Sequence, residues 1–258
     1  MLLLIVCLCS GYDRGDPFFG RSETQDEISA WFQSNVTDAV WNAKQIRILL
    51  VWAVFDNPWQ KSGPALNSVC GRAAADGAEW IFRIRDDQRF DTPWATNLTA
   101  ALREMGPPFG VVGPTCGPFA APTLPLQLVH RTHHDIFPSQ YPPSLMRWMD
   151  QCTCTAQRLA RNSPNHARRL TFSLLSSSFA GVSNVYGQHR TRLLPHVKTT
   201  LFQSGHAPRE RQYNGGLYLR GELARSRIMI ELYLAQTPGM EQQLEAYRAD
   251  TSKRMVSI

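Results

Sequence analysis

Two adjacent aspartates, Asp86 and Asp87, close an apolar run that begins at Trp80, in the stretch WIFRIRDDQRFDTPW. Neighbouring carboxylates repel, and one stays protonated unless a cation neutralises the pair. An arginine can do this, and Arg83 and Arg85 are at hand. A divalent ion can do it too, since Mg²⁺ and Mn²⁺ take carboxylate oxygens together with phosphate oxygens. Two further carboxylates, Asp13 and Asp56, follow other apolar runs in the same way. A second group is His130-Arg-Thr-His-His-Asp135. His130 and His134 are four apart and would share a face on a helix. The glutamate of a H-E-x-x-H zinc motif is missing, so the segment reads as polar contacts or as general acid–base groups.

The elements that must position these groups are legible from periodicity. Leu2–Cys9 and Ile46–Phe55 read as strands, as do Glu79–Arg85 and Phe109–Val112. Between them fall predicted helices: Thr24–Val36, with Thr24 as cap and Glu27 completing a capping box; Ser62–Asp76, stopped by Gly77; and Thr92–Met105, capped by Thr92. The alternation β-α-β-α-β-α-β predicts an α/β fold with a mostly parallel sheet flanked by helices. Ligands of such sheets bind beyond the carboxyl ends of the strands. Asp13, Asp56, Asp86 and Asp87 all follow strand ends, and so should gather along one rim.

The C-terminal part is less regular. Leu124–Asp150 reads as loop-rich with a short helix at Ser144–Met149, and Tyr213–Leu223 and Ala224–Leu234 as a strand or helix. Thr237–Ala249 reads as a polar terminal helix, and no internal repeat is present. Residues 151–182 differ in composition from both flanks and read as a divergent insertion, expected to be disordered. The predicted organisation is therefore a core over 1–150, the insertion over 151–182, and 183–258 as the remainder of the same domain.

Charge is uneven. Of 27 basic and 21 acidic residues, 15 and 6 lie beyond residue 150, and no acid lies between Asp150 and Glu210. Such a basic half suits an anionic ligand or surface. No RNA- or DNA-binding motif accompanies it, so no nucleic acid is expected. The six cysteines form no C-x-x-C pair, which excludes a zinc ribbon or a thioredoxin-type centre. The apolar start, MLLLIVCLC, lacks a basic leader region and is too short to span a bilayer. Membrane attachment is expected only through an anchor absent from this chain. Two N-glycosylation sequons, Asn35-Val-Thr37 and Asn97-Leu-Thr99, permit a glycoprotein of the secretory pathway.

Six blocks occur in an order that carries a resemblance. They are Gly11-Tyr-Asp-Arg-Gly-Asp-Pro17, Arg83-Ile-Arg-Asp-Asp-Gln-Arg-Phe90, Gly110-Val-Val-Gly-Pro-Thr-Cys116, Leu128-Val-His-Arg-Thr-His-His-Asp-Ile-Phe137, Tyr141-Pro-Pro143 and Val185-Tyr-Gly-Gln-His-Arg-Thr191. In these the chain resembles a protist-type group of nucleotide-sugar glycosyltransferases of the GT-A fold. The resemblance covers most of residues 10–150 and returns at about 184–235; the group's first strand has only Leu2–Cys9 as a counterpart. It implies a UDP- or GDP-linked sugar as donor, a glycan or protein acceptor, and Mn²⁺ or Mg²⁺ as cofactor. By the same resemblance Asp86 and Asp87 hold the metal on the diphosphate, as a DxD motif does. Asp87 is the foremost ligand, and Asp86 contacts metal or ribose. Asp13 and Asp56 join Asp86 in binding the donor, and a late histidine, His206 or else His196, completes the metal set. Asp135 or His133 serves as general base or acceptor contact. A Golgi or endoplasmic reticulum lumen is the implied location, with the cytoplasm as the other possibility. The competing class is a catalytically inactive GT-A-like domain that binds sugar or protein, which Arg85 beside the aspartate pair favours.

Overall fold

A computed structural model describes residues 5–44, 47–56, 62–84, 88–106, 109–116, 126–139, 186, 190–201 and 216–255. The chain divides into two compact units, Met1–Ala78 and Glu79–Ile258.

The first unit holds two parallel strands, β1 (Ile5–Asp13) and β2 (Arg47–Phe55), in register from Ile5↔Arg47 to Asp13↔Phe55. The connection runs through α1 (Ser22–Phe32), a π-helical turn (Gln33–Thr37) and α2 (Asp38–Lys44). α3 (Ser62–Ala75) then packs on both strands. Two side chains tie the helical crossover to β2: Thr37 Oγ1 donates to the Ile48 carbonyl at 2.9 Å, and Trp52 Nε1 donates to Ser29 Oγ at 3.0 Å. α1 begins earlier than its capping box implies. Arg21 stands at the cap position without a side-chain bond, and Thr24 lies inside the first turn. The preceding turn feeds the helix instead, with Gln25 N donating to Arg21 O and Gln25 Nε2 to Phe19 O.

The second unit is built on a five-stranded sheet in the order β3-β6-β5-β7-β4. Its strands are β3 (Trp80–Arg83), β4 (Gln88–Phe90), β5 (Val111–Cys116), β6 (Gln127–His130) and β7 (Thr191–Leu201). Only β5 and β7 run parallel; β3–β6, β6–β5 and β7–β4 are antiparallel. The protein is thus mixed α/β, and the expected mostly parallel sheet is replaced here by a mostly antiparallel one. The cause lies in three strands that local pattern does not announce: β4, β6 and β7. β6 pairs in reverse direction with both β3 and β5, and β7 brings β4 in antiparallel at the far edge, through contacts distant in sequence.

The sheet is curled. β3 and β4 are its outer strands, yet Phe82 and Phe90 stand 5.5 Å apart ring to ring, with Trp94 stacked on both at 4.7 Å. α4 (Ala95–Glu104) lies against the curl with Leu98, Ala101 and Leu102 inward, the i, i+3, i+4 stripe of a core-facing helix. These meet Val112, Leu128, Leu194 and Val197 from three strands. Thr92 does not cap α4. Its hydroxyl accepts from Lys198 N at 2.9 Å and donates to His196 O at 3.3 Å, fastening the start of the helix to β7. Beyond α5 (Thr132–Ile136), the segment read as two elements is one long helix, α6 (Gly216–Gln236), followed by α7 (Glu241–Met255). The expected helix at 144–149 and the insertion at 151–182 lie outside the described residues. Among the described residues no helix is long and apolar enough to cross a membrane.

Candidate functional site

The first unit places Asp13 and Asp56 together. Parallel pairing sets Asp13 opposite Phe55, so Asp13 ends β1 and Asp56 directly follows β2. Arg14 N donates to Phe55 O at 2.9 Å, and Arg14 Nε meets Asp56 Oδ1 at 2.8 Å, both side chains largely exposed. The loop that follows is organised by Asp16, which sequence reading passed over. Its Oδ1 accepts from the amides of Phe18 (2.8 Å) and Phe19 (2.7 Å), and its carbonyl accepts from Gly20 N at 3.0 Å. A Cβ on Gly20 would stand 2.4 Å from that carbonyl oxygen, so the closing position requires glycine. Tyr12 and Phe19 each lie 6.2 Å from the Trp52 ring. The rim therefore offers a carboxylate to accept hydrogen bonds from hydroxyls, a guanidinium suited to phosphate, and aromatic surface beside them.

Asp86, Asp87 and His206 lie outside the described residues, as does Arg85. Asp56 already has Arg14 as its cation, and among the described residues no three His, Cys, Asp or Glu side chains come together to hold an ion. These donors do not form a metal site by themselves. His196 is exposed on β7, with its carbonyl bound by Thr92.

The second unit separates the remaining pair. His133 and Asp135 both lie on α5, but His133 is 3 % exposed while Asp135 faces solvent. His133 Nδ1 is 2.6 Å from the Tyr186 hydroxyl, and its ring packs on Phe137 at 5.0 Å. Burial, with Tyr247 and Tyr233 nearby, pushes the Tyr186 phenol well above its ordinary pKa. The phenol thus stays protonated in its hydrogen bond with His133. His133 is engaged in the interior, whereas Asp135 is the member of the pair open to solvent. His130 is not on the helix at all. It ends β6, edge-on to Trp80 at 4.8 Å, and its Nδ1 accepts from Thr132 N at 3.3 Å.

Arg190 was not foreseen as a distinct group, although it sits in the last of the six blocks. It is buried, donates to the carbonyls of Met105 (2.6 Å), Phe109 (3.4 Å) and Gly106 (3.5 Å), and also bonds Gln243 on α7. Its guanidinium lies 4.3 Å from the centre of the Phe109 ring, and burial lowers its pKa to about 10. Gly110 lies alongside at φ 143°, where a Cβ would fall 2.5 Å from the Arg190 carbonyl. Next to this clamp is a cavity of about 270 Å³ lined by Met105, Tyr186, Arg190, Gln243, Tyr247 and Asp250, among others. Comparison of the chain with protein-family models, curated proteins and solved structures found no match.

Proposed function

We propose that this chain is a metal-dependent glycosyltransferase-like protein of the secretory pathway, taking a sugar from a nucleoside diphosphate donor to a glycan or protein acceptor. The observation that supports this reading is the placement of Asp13 and Asp56 side by side at the carboxyl ends of parallel strands, where open α/β sheets bind their ligands. The six ordered blocks point the same way. In this reading the β1–β2 rim contacts the nucleoside. Asp56 accepts from ribose hydroxyls, and Arg14 lies ready for phosphate. Asp86, Asp87 and His206 would hold Mn²⁺ or Mg²⁺, which when bound supplies charge to stabilise the departing diphosphate. Asp135 is the open carboxylate available as a base, and His133 supports its helix from within.

A second reading has its own observation. The pairing of Asp56 with Arg14 occupies that carboxylate and favours an inactive GT-A-like domain that binds sugar or protein. The test is Mn²⁺-dependent turnover of UDP- and GDP-sugars by the full chain, with Asp87→Asn as control, alongside calorimetric titration of UDP and GDP. Turnover lost in the control supports the transferase. Nucleotide binding without turnover supports the inactive domain. Absence of both binding and turnover overturns the transferase.

A further inference from the structure

The two sequons occupy different surroundings, and the difference centres on tryptophan. Asn35 is exposed on the π-helical turn. Its Nδ2 donates to Trp31 O at 2.9 Å, so the side chain folds back toward that residue. Trp31 is 61 % exposed, the most exposed of the large apolar residues described. Asn97 is half-buried on α4, and its Nδ2 donates to Pro93 O at 3.0 Å. Its neighbouring aromatic, Trp94, is stacked on both Phe82 and Phe90. One sequon thus has an open indole beside it and the other has an indole already used.

We propose that Asn35 is an N-glycosylation site and that the first sugar of its glycan packs on Trp31. In the transfer, Asn35 Nδ2 attacks the anomeric carbon of an oligosaccharide carried on a lipid diphosphate. The carbon–nitrogen bond forms as the carbon–oxygen bond to diphosphate breaks. The lipid diphosphate leaves with the electron pair, and one amide proton passes to a base of the transferring enzyme. The product amide keeps one N–H, enough to retain the bond to Trp31 O. A pyranose presents a face of C–H groups, which suits the electron-rich face of an indole and covers apolar surface that water otherwise meets. Thr37 is compatible with this and adds a separate role, since its buried hydroxyl holds Ile48 O. That dual use makes a Thr37 substitution a poor probe, whereas Asn35 is exposed and its replacement leaves the fold intact.

The inference rests on the secretory location of the preceding section only for delivery into the lumen. The experiment therefore supplies delivery: the full chain behind a cleavable leader, translated with glycosylating membranes beside a known glycoprotein. The expected result is a mobility shift that an N-glycan-releasing amidase removes, with Asn35 read as Asp by mass spectrometry afterwards. Asn35→Gln abolishes modification at that site, and Asn97→Gln leaves it. Releasing the glycan lowers the melting temperature by about 1–3 °C, the shift for a contact worth somewhat under 1 kcal/mol in a chain of this size; in Trp31→Ala the glycan remains but that difference vanishes. An unmodified Asn35 beside a modified control protein overturns the site. An undiminished stability difference in Trp31→Ala overturns the packing. Neither outcome depends on donor turnover, so the transferase reading stands or falls separately.

Discussion

The two units use similar residues to different ends. The second encloses Leu98 and Leu102 fully, and Phe82, Phe90 and Trp94 close the seam of a curled sheet, while Ile84, Ile228 and Leu232 stay exposed. Among the described residues, the first buries Thr37, Ala53 and Cys70 and leaves Phe18, Phe19, Trp31, Trp41 and Val54 exposed. A parallel pair of strands covers little apolar surface by itself, whereas a curled sheet with a helix against it encloses a core on several sides. Apolar content therefore does not measure stability here; what counts is whether the topology closes around it. The second unit encloses a packed core beneath α4, and the first presents aromatic and charged groups at its strand ends.

The sharpest way to break this comparison is a pair of truncations. Leu102→Ala should cost about 2–5 kcal/mol, because it removes buried methyl groups and leaves a cavity. Val54→Ala, at an exposed position on β2, should stay within about 0.5 kcal/mol. Urea titrations of the two variants compare them, and equal losses would show that the units do not differ in packing. Next in size is Arg190→Lys. It gives up a planar fork bonded to Met105 O, Gly106 O and Phe109 O, carbonyls that end α4 and lead toward β5. A lysine offers fewer donors and a different geometry, so a loss of about 1.5–3 kcal/mol is expected. A melting curve unchanged from wild type would reduce the clamp to an incidental contact.

The same contrast explains what was legible beforehand. Each element predicted up to α4 has a counterpart there with ends shifted by a few residues, while α2 and β4 were not predicted. The adjacency of Asp13 and Asp56 follows from parallel pairing alone. β6 was not legible, because its four residues are nearly all buried and show no alternation. β7 carries Pro195, which lacks a ladder donor and argues against a strand. The structure accommodates it where the register skips from Pro114↔Leu194 to Thr115↔Lys198, so Pro195 falls in an irregularity that needs no such bond. β4 is three residues long and gains its partners from Thr199, Thr200 and Leu201, far along the chain. Strand direction in the sheet is thus fixed by long-range pairing that no window of sequence contains. For the site, residue types could nominate His133, but only burial shows it bonded to Tyr186 inside the unit.

Two pH effects sharpen the picture of the second unit. The Tyr186 phenol is raised on folding, so the folded state holds its proton where the unfolded chain, near pH 10, releases it. Its contribution is complete below about pH 10 and is lost as pH rises beyond that. Tyr186→Phe should remove this alkaline fall while costing about 1–3 kcal/mol at neutral pH, because the buried His133 Nδ1 loses this hydrogen-bond partner. His130 has the opposite sign. Burial lowers its pKa, so the unfolded state takes up a proton first and stability falls as pH drops below about 6.5. Protonation also removes the Nδ1 lone pair that accepts from Thr132 N. His130→Gln should flatten the acid limb of a stability profile between pH 7 and 5, and an unaltered slope would place the proton uptake elsewhere.

The smallest expected change in stability carries the largest functional consequence. Arg14 and Asp56 are both well exposed, and an exposed pair is worth roughly 0–1 kcal/mol. Asp56→Asn and Arg14→Gln should therefore melt close to wild type. If the rim binds a nucleotide, their effects on affinity must differ in kind. Losing the Asp56 charge weakens the hydrogen bonds it accepts from ribose hydroxyls, so UDP or GDP and the free nucleoside should lose affinity alike. Losing Arg14 removes a cation, so the diphosphates should weaken by about tenfold, the size of one charge-assisted hydrogen bond, while the nucleoside is spared. Titration calorimetry with both ligands separates these outcomes. If both substitutions leave diphosphate and nucleoside affinity unchanged, the exposed rim of the first unit is not the nucleotide site, and its aromatic and charged surface needs a different occupant.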